Sequence, residues 1–158
     1  MILENKNILV TGGGKGIGFS SILEAEKEGA YVYAIIKSKK DSKKFKNIKN
    51  IKIFYGNVSD KNLIDKIFAK SIKDNRLISG VVNNAGIRQR LKFGKIDKKK
   101  LHNIFEINFF SIFYIMQAFS NYLIKIKKTG SIVNIGSIVG KNGFSQLVGY
   151  ASTKSALE

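Results

Sequence analysis

Asn7-Ile8-Leu9-Val10-Thr11-Gly12-Gly13-Gly14-Lys15-Gly16-Ile17-Gly18 runs an apolar stretch straight into a glycine-rich turn. Asn7 to Val10 suits a strand buried on both faces. From Gly16 to Glu28, Ile17, Ile22, Leu23 and Ala25 recur at helical spacing, and Gly29 supplies a helix stop. Gly12, Gly16 and Gly18 therefore sit where a strand becomes a helix. Glycine there permits a tight turn, lets the backbone approach a pyrophosphate and allows close helix–strand packing. The helix N-terminus adds unpaired N–H groups and a partial positive charge. The stretch reads as a phosphate cradle.

Working outward, Tyr31 to Ile36 and Ile51 to Tyr55 read as the second and third strands, joined by a lysine-rich connector with a short helix around Ser42 to Asn47. Ser59 is placed to cap a helix from Asp60 to Ile72, with Ile64, Ile67 and Phe68 inward. The fourth strand is expected from Leu77 to Val82, running into Asn83-Asn84-Ala85-Gly86. Arg88 to Asp97 reads as a loop or short helix, and Lys98 to Lys127 as one long helix broken by Thr129-Gly130. Ser131 to Ile135 makes the fifth strand, and a further helix opens at Val148. Strands alternating with helices predict an α/β protein: a doubly wound parallel sheet of order 3-2-1-4-5. No linker divides the chain, so residues 1–158 form one domain.

Composition narrows the function classes. The chain has no cysteine, which excludes disulfides and a thiol nucleophile. Met1 to Lys6 lacks the apolar core of a signal peptide, and a cytoplasmic address is expected. The apolar segment from Ile104 to Ile126 is interrupted by Glu106, Asn108, Gln117, Asn121 and Lys125, so a buried helix is expected rather than a membrane span. The net charge of +17 raises nucleic acid as a partner. Only Arg76, Arg88 and Arg90 of the basic residues are arginine, whereas base-edge readers favour arginine forks, so the charge is assigned to solvated lysine faces and no nucleic-acid role is expected. His102 is the only histidine, and no His/Cys/carboxylate group has ligand spacing; no metal is expected.

Near the other end, Tyr150-Ala151-Ser152-Thr153-Lys154 places a phenol and an amine four residues apart, on one helix face. An unperturbed phenol titrates near 10, too high for acid/base work at neutral pH. An adjacent ammonium favours the phenolate and brings such a group toward working range. Cofactor choice has its own electrostatic signal. An acid at the end of the second strand would hold a ribose 2′-hydroxyl and repel a 2′-phosphate. The region reads Ala34-Ile35-Ile36-Lys37, with no acid, and Lys37 and Lys15 are both placed to meet a 2′-phosphate. NADP(H) is expected ahead of NAD(H).

The spacing Thr-Gly-x-x-x-Gly-x-Gly, followed in order by Asn83-Asn84-Ala85-Gly86, Asn108, Ser137 and the Tyr-x-x-x-Lys of Tyr150 and Lys154, resembles the short-chain dehydrogenase/reductase family over the whole chain. The wording around Asn57-Val58, Asn84 to Ile87 and Ile135 to Gly140 is most similar to 3-oxoacyl-acyl-carrier-protein reductases. The resemblance implies hydride transfer from the nicotinamide to a ketone, with Tyr150 as acid/base, Lys154 holding the nicotinamide ribose, Ser137 holding the substrate oxygen, and Asn108 retaining a water in the proton path. It implies a cofactor site made by Gly12, Gly14, Lys15, Gly16, Ile17, Gly18, Lys37, Asn57, Val58, Asn84, Ala85, Gly86, Tyr150 and Lys154, with Asn57-Val58 at the adenine. It implies a small carbonyl substrate, of which a thioester on acyl carrier protein is one form and sugars, polyols and steroid-like ketones are others. A homo-oligomer through the 98–127 helix also follows from it. Relatives add further strands and a substrate-covering lobe, so the chain reads as truncated after Glu158. The alternative is an inactive nucleotide-binding or dimerisation module.

Overall fold

The computed structural model describes residues 1–158, apart from the side chain of Asp41. Five strands, β1 (Asn7–Thr11), β2 (Tyr31–Ile36), β3 (Ile51–Tyr55), β4 (Gly80–Asn83) and β5 (Ser131–Asn134), form one sheet of order β3-β2-β1-β4-β5. All four pairings are parallel; Leu9 lies opposite Tyr33 on one side and Val81 on the other. This is the doubly wound order expected from the alternation of strands and helices.

Apolar residues on both faces of β1 and β2 explain why the sheet is covered twice. Leu9, Tyr33 and Ile35 pack on one face with Ile64, Ile67 and Phe68 of α2 (Lys61–Lys73) and Ile115 and Phe119 of α4 (Ser111–Ile126). Val10, Val32, Ala34 and Ile36 pack on the other with Ile22 and Ala25 of α1 (Gly16–Lys27) and with Phe45.

Several boundaries differ from the sequence expectation for identifiable reasons. Asp60 rather than Ser59 caps α2, because its carboxylate accepts from the N–H groups of Asn62 at 3.0 Å and Leu63 at 3.3 Å. The connector's helical part is a 3₁₀ turn over Lys39–Phe45, earlier than expected, since the Ser38 hydroxyl accepts from the Lys40 N–H at 3.2 Å. β4 starts only at Gly80: the Tyr122 hydroxyl, on α4, takes the Ile78 N–H at 2.9 Å. A short helix, α5 (Ile138–Lys141), was not anticipated, and α6 (Val148–Ser155) packs against it. Gly140 permits that approach, because a Cβ there would stand 3.0 Å from the backbone of Lys154 and Ser155.

The long helix is not one continuous α-helix. It is α3 (Lys98–Phe105), a π turn over Glu106–Phe110, and α4, ending with Lys127 in the left-handed region at φ 53°. Lys98–Ile126 is long and apolar enough to cross a membrane by length and composition. Here Ile104, Ile112, Ile115 and Phe119 are spent on the protein core, each at most 1% exposed.

Candidate functional site

The sheet order reverses between β1 and β4, and a crevice opens where the two strand ends diverge. Thr11 at the end of β1 holds the two sides together. Its hydroxyl oxygen accepts from the N–H groups of Asn84 and Ala85, both at 3.0 Å, and its hydrogen points to the Val82 carbonyl at 3.4 Å. Asn84 answers from the β4 side: its Nδ2 donates to the carbonyls of Thr11 at 3.0 Å and Gly12 at 3.1 Å.

These contacts leave no room for side chains under the loop. Gly12 has φ 66°, and a Cβ on it would lie 2.7 Å from Ala85 Cα. A Cβ on Gly18 would lie 2.5 Å from the Gly12 carbonyl oxygen and collide with Asn84 Nδ2. Gly16 has φ 54° with open space beside it, so there glycine answers a backbone need alone.

Gly12, Gly14, Lys15, Gly16, Ile17, Lys37, Asn57, Val58, Asn84, Ala85 and Gly86 all line one cleft of about 680 Å³. Gly18 lies beneath its floor, against Asn84. Ile35, Ser38, Gly56, Ile87 and Ile107 complete the lining and were not singled out from the sequence. At the end nearest β2, Lys15 and Lys37 are exposed, and Lys44 donates to the Gly14 carbonyl at 2.7 Å. Asn57 turns its own Oδ1 back to the Ser59 N–H at 3.3 Å, while Val58 is buried between cleft and core.

The four catalytic candidates are held from two directions. Asn108, in the π turn and 0% exposed, brackets Ile87: Oδ1 accepts from its N–H at 2.8 Å and Nδ2 donates to its carbonyl at 2.9 Å. Nδ2 also donates to the Thr153 hydroxyl at 3.1 Å, which ties α6 to the cleft wall. Lys154 is only 4% exposed, and its Nζ donates to the Ile135 carbonyl at 2.6 Å, at the end of β5. Burial pushes the Lys154 ammonium below the ordinary lysine range. The half-buried Ser137 caps α5, accepting from the Val139 N–H at 3.2 Å. Tyr150 is half-buried on the first turn of α6.

Among the described residues no hydrogen bond joins the side chains of Ser137, Tyr150 and Lys154 to one another. They follow β5, beyond the cleft lining that ends at Ile87 and Ile107. Thr11 and Thr153 are the residues that sequence reasoning passed over. Both stand inside the quoted motifs, one beside Gly12 and the other beside Lys154, and a hydroxyl at such a place was the available signal.

The sequence profile of the short chain dehydrogenase family matches residues 6–158. The 3-oxoacyl-[acyl-carrier-protein] reductase FabG of Thermotoga maritima is 32% identical over 99% of this chain, which spans 65% of that relative. The 5-keto-D-gluconate 5-reductase of Escherichia coli is 29% identical over 99% of the chain, which spans 63% of it. Among solved structures, ElxO with NADP bound superposes with a TM-score of 0.86 at 30% identity, over 96% of this chain and 63% of that one. A short chain dehydrogenase from Bacillus anthracis shares the fold at a TM-score of 0.93 and 21% identity, over 98% of this chain and 66% of that one. The chain thus spans less than two thirds of the length of several of the proteins it matches. With a family profile matched from Lys6 to Glu158 and the crevice built at the reversal of strand order, this chain belongs to the short chain dehydrogenase family.

Proposed function

We propose that this chain carries the cofactor-binding and catalytic part of an NADP(H)-dependent carbonyl reductase. The observation that carries the reading is the glycine floor at the crevice, keyed on both sides by Thr11 and Asn84. A Cβ at Gly12 or Gly18 would fill space that backbone and Asn84 already claim, and the 680 Å³ above it suits a dinucleotide. Gly12 to Gly18 hold the pyrophosphate with backbone N–H groups, Asn57 and Val58 meet the adenine, and Asn84 to Gly86 face the nicotinamide ribose. Lys15 and Lys37 meet the 2′-phosphate, which favours NADP(H) over NAD(H); ElxO, with NADP bound, supports a nicotinamide cofactor.

When bound, the nicotinamide supplies the hydride. The protein's own part is proton delivery and orientation. Ser137 Oγ donates to the substrate carbonyl oxygen, and Tyr150 Oη passes its proton to that oxygen as it gains charge. The Lys154 ammonium holds the ribose and favours the phenolate that Tyr150 becomes. Both amide hydrogens of Asn108 are spent on Ile87 and Thr153, so a water of the proton path is held there by acceptor atoms. The substrate is a ketone, with 3-oxoacyl thioesters on acyl carrier protein favoured by the FabG relative. Exposed Phe113 and Tyr114 on α4, continuous with Phe110, give the 98–127 segment a face for homo-oligomers.

Titration of the chain with NADPH and NADH, followed by oxidation assays with acetoacetyl thioester and simple ketones, tests the reading. Saturable NADPH binding, weakened about tenfold or more by Lys37→Glu, with turnover abolished by Tyr150→Phe, is the expected result. Saturable binding without turnover identifies an inactive nucleotide-binding module instead. Absence of binding to either dinucleotide rejects both.

A further inference from the structure

We infer that Thr153 is a positioning residue, its hydroxyl locking the helix that carries Tyr150 and Lys154 to Asn108 and so to the wall of the nucleotide cleft. The inference rests on the reductase reading above. Thr153 is 0% exposed, and a threonine hydroxyl has one hydrogen to give and two lone pairs to receive. The hydrogen goes to the Tyr150 carbonyl at 2.8 Å. The oxygen can then only accept from Asn108, and it does so from Nδ2 at 3.1 Å. The Ile87 backbone holds the amide the same way round: Nδ2 toward Thr153 and the Ile87 carbonyl, Oδ1 toward the Ile87 N–H. Turning that amide over would set an oxygen against two acceptors.

One chain of hydrogen bonds thus runs from α6 through the π turn to Ile87, which lines the cleft. Gly86, next in line, would place a Cβ 3.4 Å from Asn108 Oδ1, so the wall is already close against the amide. The brace bears on the chemistry because α6 (Val148–Ser155) carries both Tyr150 and Lys154. Tyr150 and Lys154 share one face of it, so a small rotation displaces both together. Displacement of reacting groups by about 1 Å costs on the order of a hundredfold in rate.

Thr153→Val keeps the shape and removes the hydroxyl; Thr153→Ser keeps the hydroxyl. On the full chain, Thr153→Val is expected to lower kcat by roughly ten- to a hundredfold and to shift the pH profile of kcat, while Thr153→Ser returns both toward wild type. Should Thr153→Val not fold, Thr153→Ala carries the same comparison with Thr153→Ser. Loss of thermal stability with kcat and pH profile unmoved would overturn the inference and leave Thr153 a packing residue. If wild type binds NADPH without turnover, the reductase reading is what has failed. The brace is then read from the ring-carbon resonance of Tyr150, labelled with 13C and assigned with Tyr150→Phe. A resonance moved by Thr153→Val and restored by Thr153→Ser upholds the brace; one that stays in place overturns it.

Discussion

Lys154 Nζ lies 2.6 Å from the carbonyl oxygen of Ile135, so the amine of the Tyr-x-x-x-Lys pair is anchored to the end of β5. That bond spans the segment holding Ser137 and α5, and it ties the last strand to the last helix. An ammonium in so enclosed a place is desolvated, and the cost depends on pH.

Below the folded-state value of Lys154, which burial depresses from the ordinary 10.5, the amine is charged in both folded and unfolded chains and the full penalty is present. Above 10.5 both are neutral and the penalty is gone. Between the two values the unfolded chain binds more protons, so folding is favoured as pH rises. Relative to Lys154→Met, wild-type stability should therefore climb with pH across that window. Paired urea titrations at several pH values check this; a flat difference contradicts a depressed lysine.

Thr11→Val should be costly. It strips the N–H groups of Asn84 and Ala85 of their acceptor, and an unsatisfied buried donor costs about 1–3 kcal/mol. Denaturant unfolding should show a loss of roughly 2–4 kcal/mol, whereas Thr11→Ser, which keeps the oxygen, should lose far less.

Two glycines in the same loop should respond differently. Gly16→Ala meets only its positive φ, at a cost of about 1–2 kcal/mol of stability. Gly18→Ala presses on the Gly12 carbonyl and on Asn84, so the loop must move. Dinucleotide affinity should fall at least about tenfold for Gly18→Ala and much less for Gly16→Ala, as measured by fluorescence titration with NADPH.

Lys127 ends α4 at φ 53°, a conformation that glycine adopts freely and a β-carbon resists. Lys127→Gly should raise stability by about 0.5–1 kcal/mol, the relief of left-handed strain less the added freedom of the unfolded chain. Thermal unfolding gives the sign directly.

The fold was legible because its determinants are local. The apolar run Asn7 to Val10, its glycine turn and the alternation of strand and helix patterns are all read from neighbours in sequence. Two of the missed boundaries turn on which of several neighbouring polar residues caps, Asp60 for α2 and Ser38 for the 3₁₀ turn; the others depend on distant partners. Nothing near Leu77 tells that Tyr122 will claim the Ile78 N–H and delay β4. Glu106 to Phe110 fits an ordinary helix by composition, and the π turn shows only when Asn108 is seen bracketing Ile87.

At the site the same division holds. The glycine turn was readable from its spacing and the rest of the list, through Gly86, from the family resemblance; the residues from Gly12 to Gly86 on that list line one cleft, with Gly18 beneath it. Ile35 and Ile107 were overlooked because an apolar strand or helix residue reads as core until the crevice beside it is known. The spacing of Tyr150 and Lys154 indicates a shared helix face. It carries no information on where the Lys154 amine turns, because the Ile135 carbonyl that receives it belongs to another element.

The bonds between Thr11 and the Asn84-Ala85 peptide join residues more than seventy positions apart. The phosphate-binding loop, compact in sequence, is thus a long-range structure: its Thr11 end lacks these partners until Asn84 and Ala85 have been synthesised and docked. A nascent chain halted on the ribosome before Asn84 emerges should hold β1 without a competent loop, so dinucleotide binding should arise abruptly as the chain lengthens past that point. Since closing so long a span is slow relative to local helix formation, capture of the dinucleotide should be among the last properties acquired during refolding.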